Sequence, residues 1–175
     1  MNTQNVSVLC VTPKSFYKQL PNVRCFDADD DCRTFTCNTP IVCHPPCRLW
    51  SRFTRHQAKP RTHEKHLAIL CVEFLRICGG VLEHPAHSHL WEHCKLPLPG
   101  HRNEFFECIQ VDQHWFGYPT PKKTWLLLSR HPNDIEIPFS LRQPSKDWTQ
   151  LSKHERMATT PKMAHFLVDI ARRCK

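Results

Sequence analysis

Short apolar runs separated by polar and proline-containing segments dominate the chain, and they predict a series of β-strands. Each run is short for a helix and is bounded by Pro, Gly or polar residues. Six strands are predicted in this way, at 6–11, 23–27, 40–43, 81–83, 105–111 and 125–128. Acidic or reactive side chains follow the second, third and fourth of these strands.

Apolar residues at helical spacing predict one long helix in the middle of the chain and another at its end. In the first, Thr62 is suited to the N-cap, apolar side chains recur over 67–78, and Gly79 and Gly80 end the helix. The second spans 161–174 and has a proline in its first turn. The remaining segments are predicted as short helices at 15–20 and 88–93 and as a Pro-rich loop excursion at 130–152.

The alternation of strands and helices indicates an α/β protein in which a largely parallel sheet is flanked by helices. The chain, residues 1–175, has the length of a single domain. Ligands of such sheets bind beyond the carboxyl ends of the strands. Because Cys47, Glu83 and the acidic cluster 27–31 all come after predicted strands, we expect them to share one edge of the sheet.

The composition favours a folded protein with a polyanionic partner. Hydrophobic residues make up 40% of the chain, which is typical of globular proteins, and the formal net charge is +8. A positive balance of this size favours nucleic acid as the partner, although surface lysines and arginines also serve solubility. The sequence therefore admits a nucleic-acid-binding protein without requiring one.

The eleven cysteines are expected to be reduced thiols in a cytoplasmic protein. The first residues show no secretory leader, and no apolar run approaches the roughly 20 residues that span a membrane. A zinc site is the alternative use for some of them, but structural zinc ligands usually come as two close pairs, so no metal is expected here. The residues of that alternative are Cys32, Cys37, Cys43, His44 and Cys47.

Two segments carry the candidate chemistry. Residues 42–51 read Val-Cys-His-Pro-Pro-Cys-Arg-Leu-Trp-Ser and place Cys47 on a Pro-Pro turn after an apolar strand. Residues 80–85 read Gly-Val-Leu-Glu-His-Pro and place Glu83 at the end of another strand. Both resemble motifs of the cytosine-C5 DNA methyltransferases, in which a Pro-Pro-Cys loop carries the nucleophile and a Glu-Asn-Val strand end holds the base. The resemblance implies a Rossmann-like, methyltransferase-like fold.

The resemblance also implies covalent catalysis on a pyrimidine, most directly on DNA cytosine. Carbon 5 of cytosine becomes nucleophilic when a thiolate adds to carbon 6 and a carboxyl group at N3 stabilises the developing charge. Cys47 would be the nucleophile and Glu83 the general acid, acting on a base swung out of its helix. His44 or Arg48 would favour the thiolate. The residues implied as support for the loop are His44, Pro45, Pro46, Arg48 and His84.

Three further segments extend the resemblance, in the family's order along the chain. Asp27-x-Asp29 is similar to the acidic residue that binds the ribose of S-adenosylmethionine. Residues 116–125 are similar to the family's Tyr-Gly-x-Pro-Gln-x-Arg-x-Arg segment, with lysines in place of the arginines. Thr160, at the start of the last helix, is similar to the family's last motif, which lies on the cofactor side of the site. The implied contacts are S-adenosylmethionine at Asp27, Asp29 and Thr160, and nucleic acid at Arg48, Lys122, Lys123 and Trp115.

More narrowly, the chain is similar to small phage-encoded proteins that share His-Pro-Pro-Cys-Arg and Leu-Glu-His-Pro, which implies a location in the host cytoplasm. It departs from the larger family at the cofactor loop, because no glycine precedes Gly79 and residues 11–15 replace the Phe-x-Gly-x-Gly segment. His84 also stands where the family has Asn.

These departures leave two alternatives open. One is a non-catalytic protein that binds nucleic acid or a host factor on a degenerate methyltransferase scaffold. The other is an enzyme that processes a nucleotide with Glu83, independently of Cys47, and with a cofactor other than S-adenosylmethionine. A chain this small has little sequence for a target-recognition domain, which is consistent with a homodimer that embraces a duplex.

Overall fold

The protein is described by a computed structural model that covers residues 5–53, 55–59 and 63–174. It is an α/β structure in which one six-stranded sheet is flanked by helices. The strands are β1 (Val6–Leu9), β2 (Val23–Phe26), β3 (Ile41–Cys43), β4 (Gly80–Pro85), β5 (Glu107–Asp112) and β6 (Lys123–Ser129). The α-helices are α1 (Glu64–Cys78), α2 (His89–His93), α3 (Lys153–Met157) and α4 (Pro161–Arg172).

The sheet is mixed, with the strand order β2-β1-β3-β4-β6-β5. Strands β1 to β4 are parallel, whereas β6 is antiparallel to both of its neighbours, β4 and β5. The predicted largely parallel sheet is therefore correct for the four strands from β2 to β4 and wrong for β6 and its two pairings. The reason is the connection between β5 and β6, residues 113–122, which is too short for the crossover that parallel neighbours require.

Alternate side chains of the strands supply two hydrophobic cores, one on each face of the sheet. Helix α1 packs on β3 and β4 from one side, and α4 packs on β1, β3 and β4 from the other. By this alternation Glu83 belongs to the α4 face and His84 to the α1 face. The α1 side includes Leu9, Ile41, Leu82 and Leu127, and the α4 side includes Val8, Val42, Val81 and Leu126.

Two glycines connect α1 to the sheet. Helix α1 ends at Cys78, as the sequence predicts, because Gly79 caps it with a φ of 74°. Gly80 then opens β4 against β3, where a Cβ would lie 2.0 Å from the carbonyl oxygen of Ile41. A larger residue cannot occupy this position without moving the strand, so Gly80 fixes how closely β4 approaches β3.

Short helices account for the remaining differences from the predicted elements. Thr62, predicted to cap α1, lies outside the described residues, and His63 is the N-cap without a side-chain capping bond. Helix α3 was not predicted, although Ser152 and Glu155 form a capping box that the sequence carries as Ser-x-x-Glu. The segment 130–152 forms no strand and contains one short 3₁₀ turn.

The candidate site lies at the edge of the sheet where β1 to β4 end. From β1 the chain goes to β2 on one side and then to β3 on the other, so the strand order reverses at this edge. A crevice for ligands forms at such a reversal in open α/β sheets. His44 follows β3 directly and Glu83 lies in the second half of β4, so both residues come to this edge.

Candidate active site

Glu83 is the centre of the candidate site, and both of its carboxylate oxygens are held. Its side chain is only 13% exposed. Oε2 lies 3.0 Å from Nδ1 of His44, and Oε1 accepts a hydrogen bond from Nε2 of Gln113 at 2.8 Å. Hydrogen bonds to a charged group are stronger than neutral ones, so this pair fixes the orientation of the carboxylate.

The Gln113 amide is positioned by the connection between β5 and β6. Gln113 is buried and begins a 3₁₀ turn that is capped by Asp112. Its Nε2 also donates to Oγ1 of Thr124 at 2.9 Å, and that hydroxyl donates to the carbonyl oxygen of Lys122 at 3.1 Å. The reversed strand β6 thus supplies one of the residues that hold Glu83 in place.

The electrostatic surroundings keep Glu83 ionised. Burial alone would raise its pKa, but the hydrogen bond from His44 and the charge of Lys122 outweigh burial and lower the pKa to about 2. Glu83 is therefore a carboxylate at any physiological pH. A carboxylate only accepts hydrogen bonds, so the proton between Glu83 and His44 is on Nδ1 of His44.

A buried tyrosine completes a chain of hydrogen bonds that ends at Glu83. The hydroxyl of Tyr17 lies 2.8 Å from Nε2 of His44, and Tyr17 is fully buried. Burial, together with the charge of Glu83, raises the pKa of Tyr17 well above its ordinary value, so the hydroxyl keeps its proton. The Tyr17 hydroxyl therefore donates a hydrogen bond to Nε2 of His44, while Nδ1 of His44 donates one to Glu83. Tyr17 thereby fixes the tautomer of His44.

Cys47 lies within electrostatic range of Glu83 but is held as a thiol. The loop begins with Pro45 and Pro46, and its first turn closes when the amides of Trp50 and Ser51 donate to the carbonyl oxygen of Cys47. Burial and the charge of Glu83 raise the pKa of Cys47, whereas Lys122 lowers it. The direction of this shift does not support the expected bias of Cys47 toward the thiolate by His44 or Arg48, because burial outweighs the charge of Lys122.

Lys122 is a cation whose charge acts on both Glu83 and Cys47. Its charge lowers the pKa of Glu83 and of Cys47. The ammonium lies 4.9 Å from the centre of the Tyr118 ring and donates to the carbonyl oxygen of Arg156 at 3.4 Å. These contacts hold the lysine at the site, where it favours negative charge on the thiol and on the carboxyl group.

The other residues expected to contact nucleic acid lie in different environments. Arg48 donates from Nε to both carboxylate oxygens of Glu64, at 2.7 and 2.8 Å, so its charge is balanced within the protein. Trp115 is partly buried, and its ring centre lies 5.4 Å from that of Phe139. Lys123 is exposed on β6. Of this group, Lys122 is the residue whose charge acts on both Cys47 and Glu83.

The residues expected to hold the cofactor make structural contacts. Asp27 accepts from Nζ of Lys18 at 2.6 Å and from the amides of Asp29 and Asp30 at 3.0 and 3.3 Å. The lysine and these amides lower the pKa of Asp27. Thr160 caps α4 and donates from Oγ1 to the carbonyl oxygen of Phe116 at 2.7 Å.

A cluster of thiols occupies the end of β1, where the resemblance places the glycine-rich cofactor loop. Sγ of Cys10 lies 3.5 Å from Sγ of Cys32 and 3.9 Å from Sγ of Cys71. Its backbone is in the left-handed region, with a φ of 63°. Side chains therefore stand where the family brings bare backbone to the adenosyl group. Together with the engaged carboxylate of Asp27, this arrangement does not fit S-adenosylmethionine in the expected contacts.

His84 has no direct part in this hydrogen-bond network. It is fully buried on the α1 face, its ring centre lies 6.2 Å from that of Trp91, and neither ring nitrogen has a hydrogen-bond partner among the described residues. Burial lowers its pKa to about 4. Between pH 6.5 and 4, His84 therefore stays neutral in the folded protein but is protonated in the unfolded chain.

We expect the substitution His84→Phe to reduce the loss of unfolding free energy that acid causes in the native protein. In the native protein about 3 kcal/mol of stability is lost as the pH falls from 6.5 to 4, because the unfolded chain gains a proton there and the folded one does not. Urea unfolding of the variant at pH 7 and pH 4 should show a loss smaller by this amount. An unchanged difference between the two pH values would contradict the assignment.

Tyr17, Gln113 and Thr124 are the functional candidates that sequence reasoning missed. Tyr17 lies within the predicted helix 15–20, whereas Gln113 and Thr124 lie next to the predicted strands 105–111 and 125–128. A polar residue beside a predicted strand is the signal that could have found the last two. Polar residues at such positions are common, however, and only the fold shows that Tyr17 and Gln113 converge on Glu83 through hydrogen bonds.

Comparison with known proteins gives no relative: no family model, no curated protein and no solved structure matches the chain. Within the described ranges no helix is long and apolar enough to cross a membrane. In the same residues, no group of three or more His, Cys, Asp or Glu side chains is arranged to hold a metal ion.

Proposed function

We propose that this chain is a pyrimidine base-modifying enzyme that acts at carbon 5 after covalent addition of Cys47 to carbon 6, most directly on cytosine in DNA. The observation that carries the proposal is the oriented carboxylate of Glu83, held by His44 and Gln113, within electrostatic range of a cysteine on a Pro-Pro turn. Catalytic carboxylates are characteristically fixed in this way, with neighbours that set their charge.

The arrangement of the strands supports the proposal. The parallel half of the sheet has the order β2-β1-β3-β4, which is that of doubly wound folds, and the candidate residues lie at its switch point. Ligands of doubly wound folds bind at such an edge. A methyltransferase-like, Rossmann-like scaffold is therefore part of the proposal.

The proposed reaction begins with the addition of the Cys47 sulfur to the pyrimidine. The electron pair of the thiolate forms the S–C6 bond, and the electrons of the C5=C6 double bond move through C4 to N3. The thiol loses its proton to solvent before the addition, and N3 takes one proton from water through the Glu83 carboxylate, so the step has no net proton change. His44 and Gln113 are positioning residues, because they hold the carboxylate and do not touch the base.

The adduct is an enamine, and its carbon 5 is nucleophilic. It takes a proton from solvent, after which water removes the original C5 hydrogen as a proton. The electrons of that C–H bond restore the C5=C6 double bond, Cys47 leaves as a thiolate with the electron pair of the S–C6 bond, and N3 returns its proton to water. The net result without any other electrophile is exchange of the C5 hydrogen with solvent. Each step uses only the chain's own residues and water, and no step is routed through S-adenosylmethionine.

Hydrogen exchange at carbon 5 is the experiment that tests the proposal. A cytosine-containing oligonucleotide is incubated with the protein in heavy water, and deuterium in its bases is measured by mass spectrometry. We expect incorporation with the native protein and none with Cys47→Ala. Incorporation by Cys47→Ala equal to that of the native protein would overturn the role of Cys47.

Replacement of Lys122 should slow the reaction of Cys47 more than replacement of its neighbour. Lys122→Gln removes the charge that lowers the pKa of Cys47, so less thiolate is present at a given pH. We expect alkylation of Cys47 by iodoacetamide at pH 8, followed by peptide mass spectrometry, to slow by roughly threefold or more. Lys123→Gln removes the same charge from an exposed site and is the matched control. Equal rates in the two variants would contradict the effect.

A non-catalytic binding protein is the second candidate, and one observation favours it. The carboxylate of Asp27 is engaged by Lys18, and thiols fill the end of β1, so the expected cofactor contacts are not offered. This candidate predicts that nucleic-acid binding survives in Cys47→Ala and that no C5 exchange occurs in the native protein.

A further inference from the structure

The loop that follows Cys47 is unusually long and basic. Twenty residues, 44–63, separate β3 from α1, and those of them that are described lie in no helix or strand. Loops of this length inside a compact domain are mostly functional. We call residues 51–59 the basic arm. It contains three Lys or Arg residues and no acidic residue, so it carries +3 of the chain's formal net charge of +8.

The two ends of the basic arm are fastened to the protein. Arg48 and Glu64, which flank it, form the ion pair described above. Trp50 is buried, and Nζ of Lys65 lies 5.1 Å from the centre of its ring. His89 donates its backbone amide to the carbonyl oxygen of Trp50 at 2.9 Å. These contacts hold the base of the arm beside Cys47, at the edge of the sheet that carries Glu83.

The described cations of the arm are available to a ligand, and an aromatic ring lies among them. Arg52, Arg55 and Lys59 are exposed. Phe53 is 80% exposed, which is exceptional for a phenylalanine, and the guanidinium carbon of Arg52 lies 5.8 Å from the centre of its ring. Cations that follow a phosphate backbone, with an aromatic face on which a base stacks, are the elements of single-strand recognition.

We propose that the basic arm is a binding surface for single-stranded polynucleotide, with Phe53 stacking on a base and the three exposed cations contacting phosphates. This inference deepens the proposed function and rests on it, because the arm would deliver an unstacked base to Cys47. Two carboxylates of the acidic cluster 27–31 are balanced within the protein, since Asp31 is paired with Arg33 and Asp27 with Lys18.

Fluorescence anisotropy with a labelled 20-nucleotide single strand tests the arm directly. The arm variant is Arg52→Gln/Arg55→Gln/Lys59→Gln, and the control is Lys95→Gln/Arg102→Gln/Arg130→Gln, which removes the same charge from exposed positions outside the arm. We expect at least tenfold weaker binding at 50 mM salt for the arm variant, and a log–log salt dependence shallower by about 2. The control should change less than twofold. Equal affinities in the arm and control variants would overturn the proposal.

The stacking contact has a matched control of its own. Phe105 is also exposed and also lies under an arginine, with the guanidinium carbon of Arg76 at 5.4 Å from its ring centre. We expect Phe53→Ala to weaken binding about tenfold with an unchanged salt dependence, and Phe105→Ala to have no effect. Equal single-strand affinity of Phe53→Ala and native protein, or tighter binding of duplex than of single strand, would contradict the stacking role.

The binding and exchange experiments together distinguish a failure of the arm proposal from a failure of the proposed reaction. DNA and RNA strands of the same sequence show which sugar is accepted, and either result supports the arm. If the arm variant loses binding and the native protein shows no C5 exchange, the surface stands and the proposed reaction fails. If exchange occurs while the arm variant binds like the control, the reaction stands and the surface fails. Absence of any binding by the native protein at 50 mM salt would overturn both.

Discussion

Replacing Glu83 by glutamine should reduce both stability and its dependence on acid. The pKa of Glu83 is lowered to about 2, so the carboxylate stabilises the fold above its ordinary pKa of 4.5, and this stabilisation is lost as the pH falls toward 2. The shift corresponds to about 3 kcal/mol in full and about 2 kcal/mol by pH 3. Urea unfolding at pH 7, 4.5 and 3 measures it.

The variant should be less stable at pH 7 by an amount of the same order, because its amide nitrogen would face the donor of Gln113. Between pH 4.5 and 3 it should then lose about 2 kcal/mol less than the native protein does. Glu104→Gln, at an exposed position, is the control and should behave like the native protein. If Glu83→Gln lost as much unfolding free energy between pH 4.5 and 3 as the native protein does, Glu83 would not be an ionised carboxylate held by His44 and Gln113.

This window is distinct from that of His84, which lies between pH 6.5 and 4. The His84 and Glu83 variants should therefore change the unfolding free energy in different ranges of pH. The two effects are not expected to add fully, because the charge of His84 lowers the pKa of Glu83 and the charge of Glu83 raises that of His84.

The rate of C5 exchange should rise steeply with pH, and this is the second large effect. Burial and the charge of Glu83 raise the pKa of Cys47 above its ordinary value of 9.0, so the reactive thiolate increases about tenfold for each pH unit below that value. Between pH 6.5 and 8.5 the rate should increase roughly 100-fold. The measurement is initial deuterium incorporation at saturating oligonucleotide.

Alkylation of Cys47 should follow the same pH profile, which ties the rate to this thiol. Cys108 is the internal control for alkylation, because it is fully buried and burial raises its pKa to about 12. A plateau of exchange near pH 7 would mean that the thiol is already ionised in the complex with substrate, and it would contradict the thiol ground state argued above.

The sequence predicts which residues share the edge of the sheet but not what each one does there. Cys47 and Glu83 follow apolar strands, and parallel strands bring their carboxyl ends together, so their proximity is a consequence of local pattern and simple topology. The role of His44 is different. Its ring is directed to Glu83 and not to Cys47, because Tyr17 lies behind it on the α4 face, and no local pattern encodes that contact.

The sequence alone also does not predict the direction of β6 or the partner of Arg48. The apolar run of β6 resembles a buried parallel strand, and only its short connection to β5 makes it antiparallel. Its reversal is what brings Thr124 and Gln113 to Glu83. Arg48 follows Cys47 in sequence and was expected to activate it, but Glu64 at the start of α1 offers a closer and geometrically better partner.

The central claim is a covalent bond between Cys47 and carbon 6 of a pyrimidine. It is tested most directly with a single-stranded oligonucleotide carrying 2-pyrimidinone, a base that lacks the exocyclic amino group and whose carbon 6 is therefore more electrophilic. Intact-protein mass spectrometry after incubation at pH 8.5 should show an adduct of one oligonucleotide per chain, and peptide mapping should place it on Cys47. Absence of an adduct, or an adduct that persists in Cys47→Ala, would contradict the account.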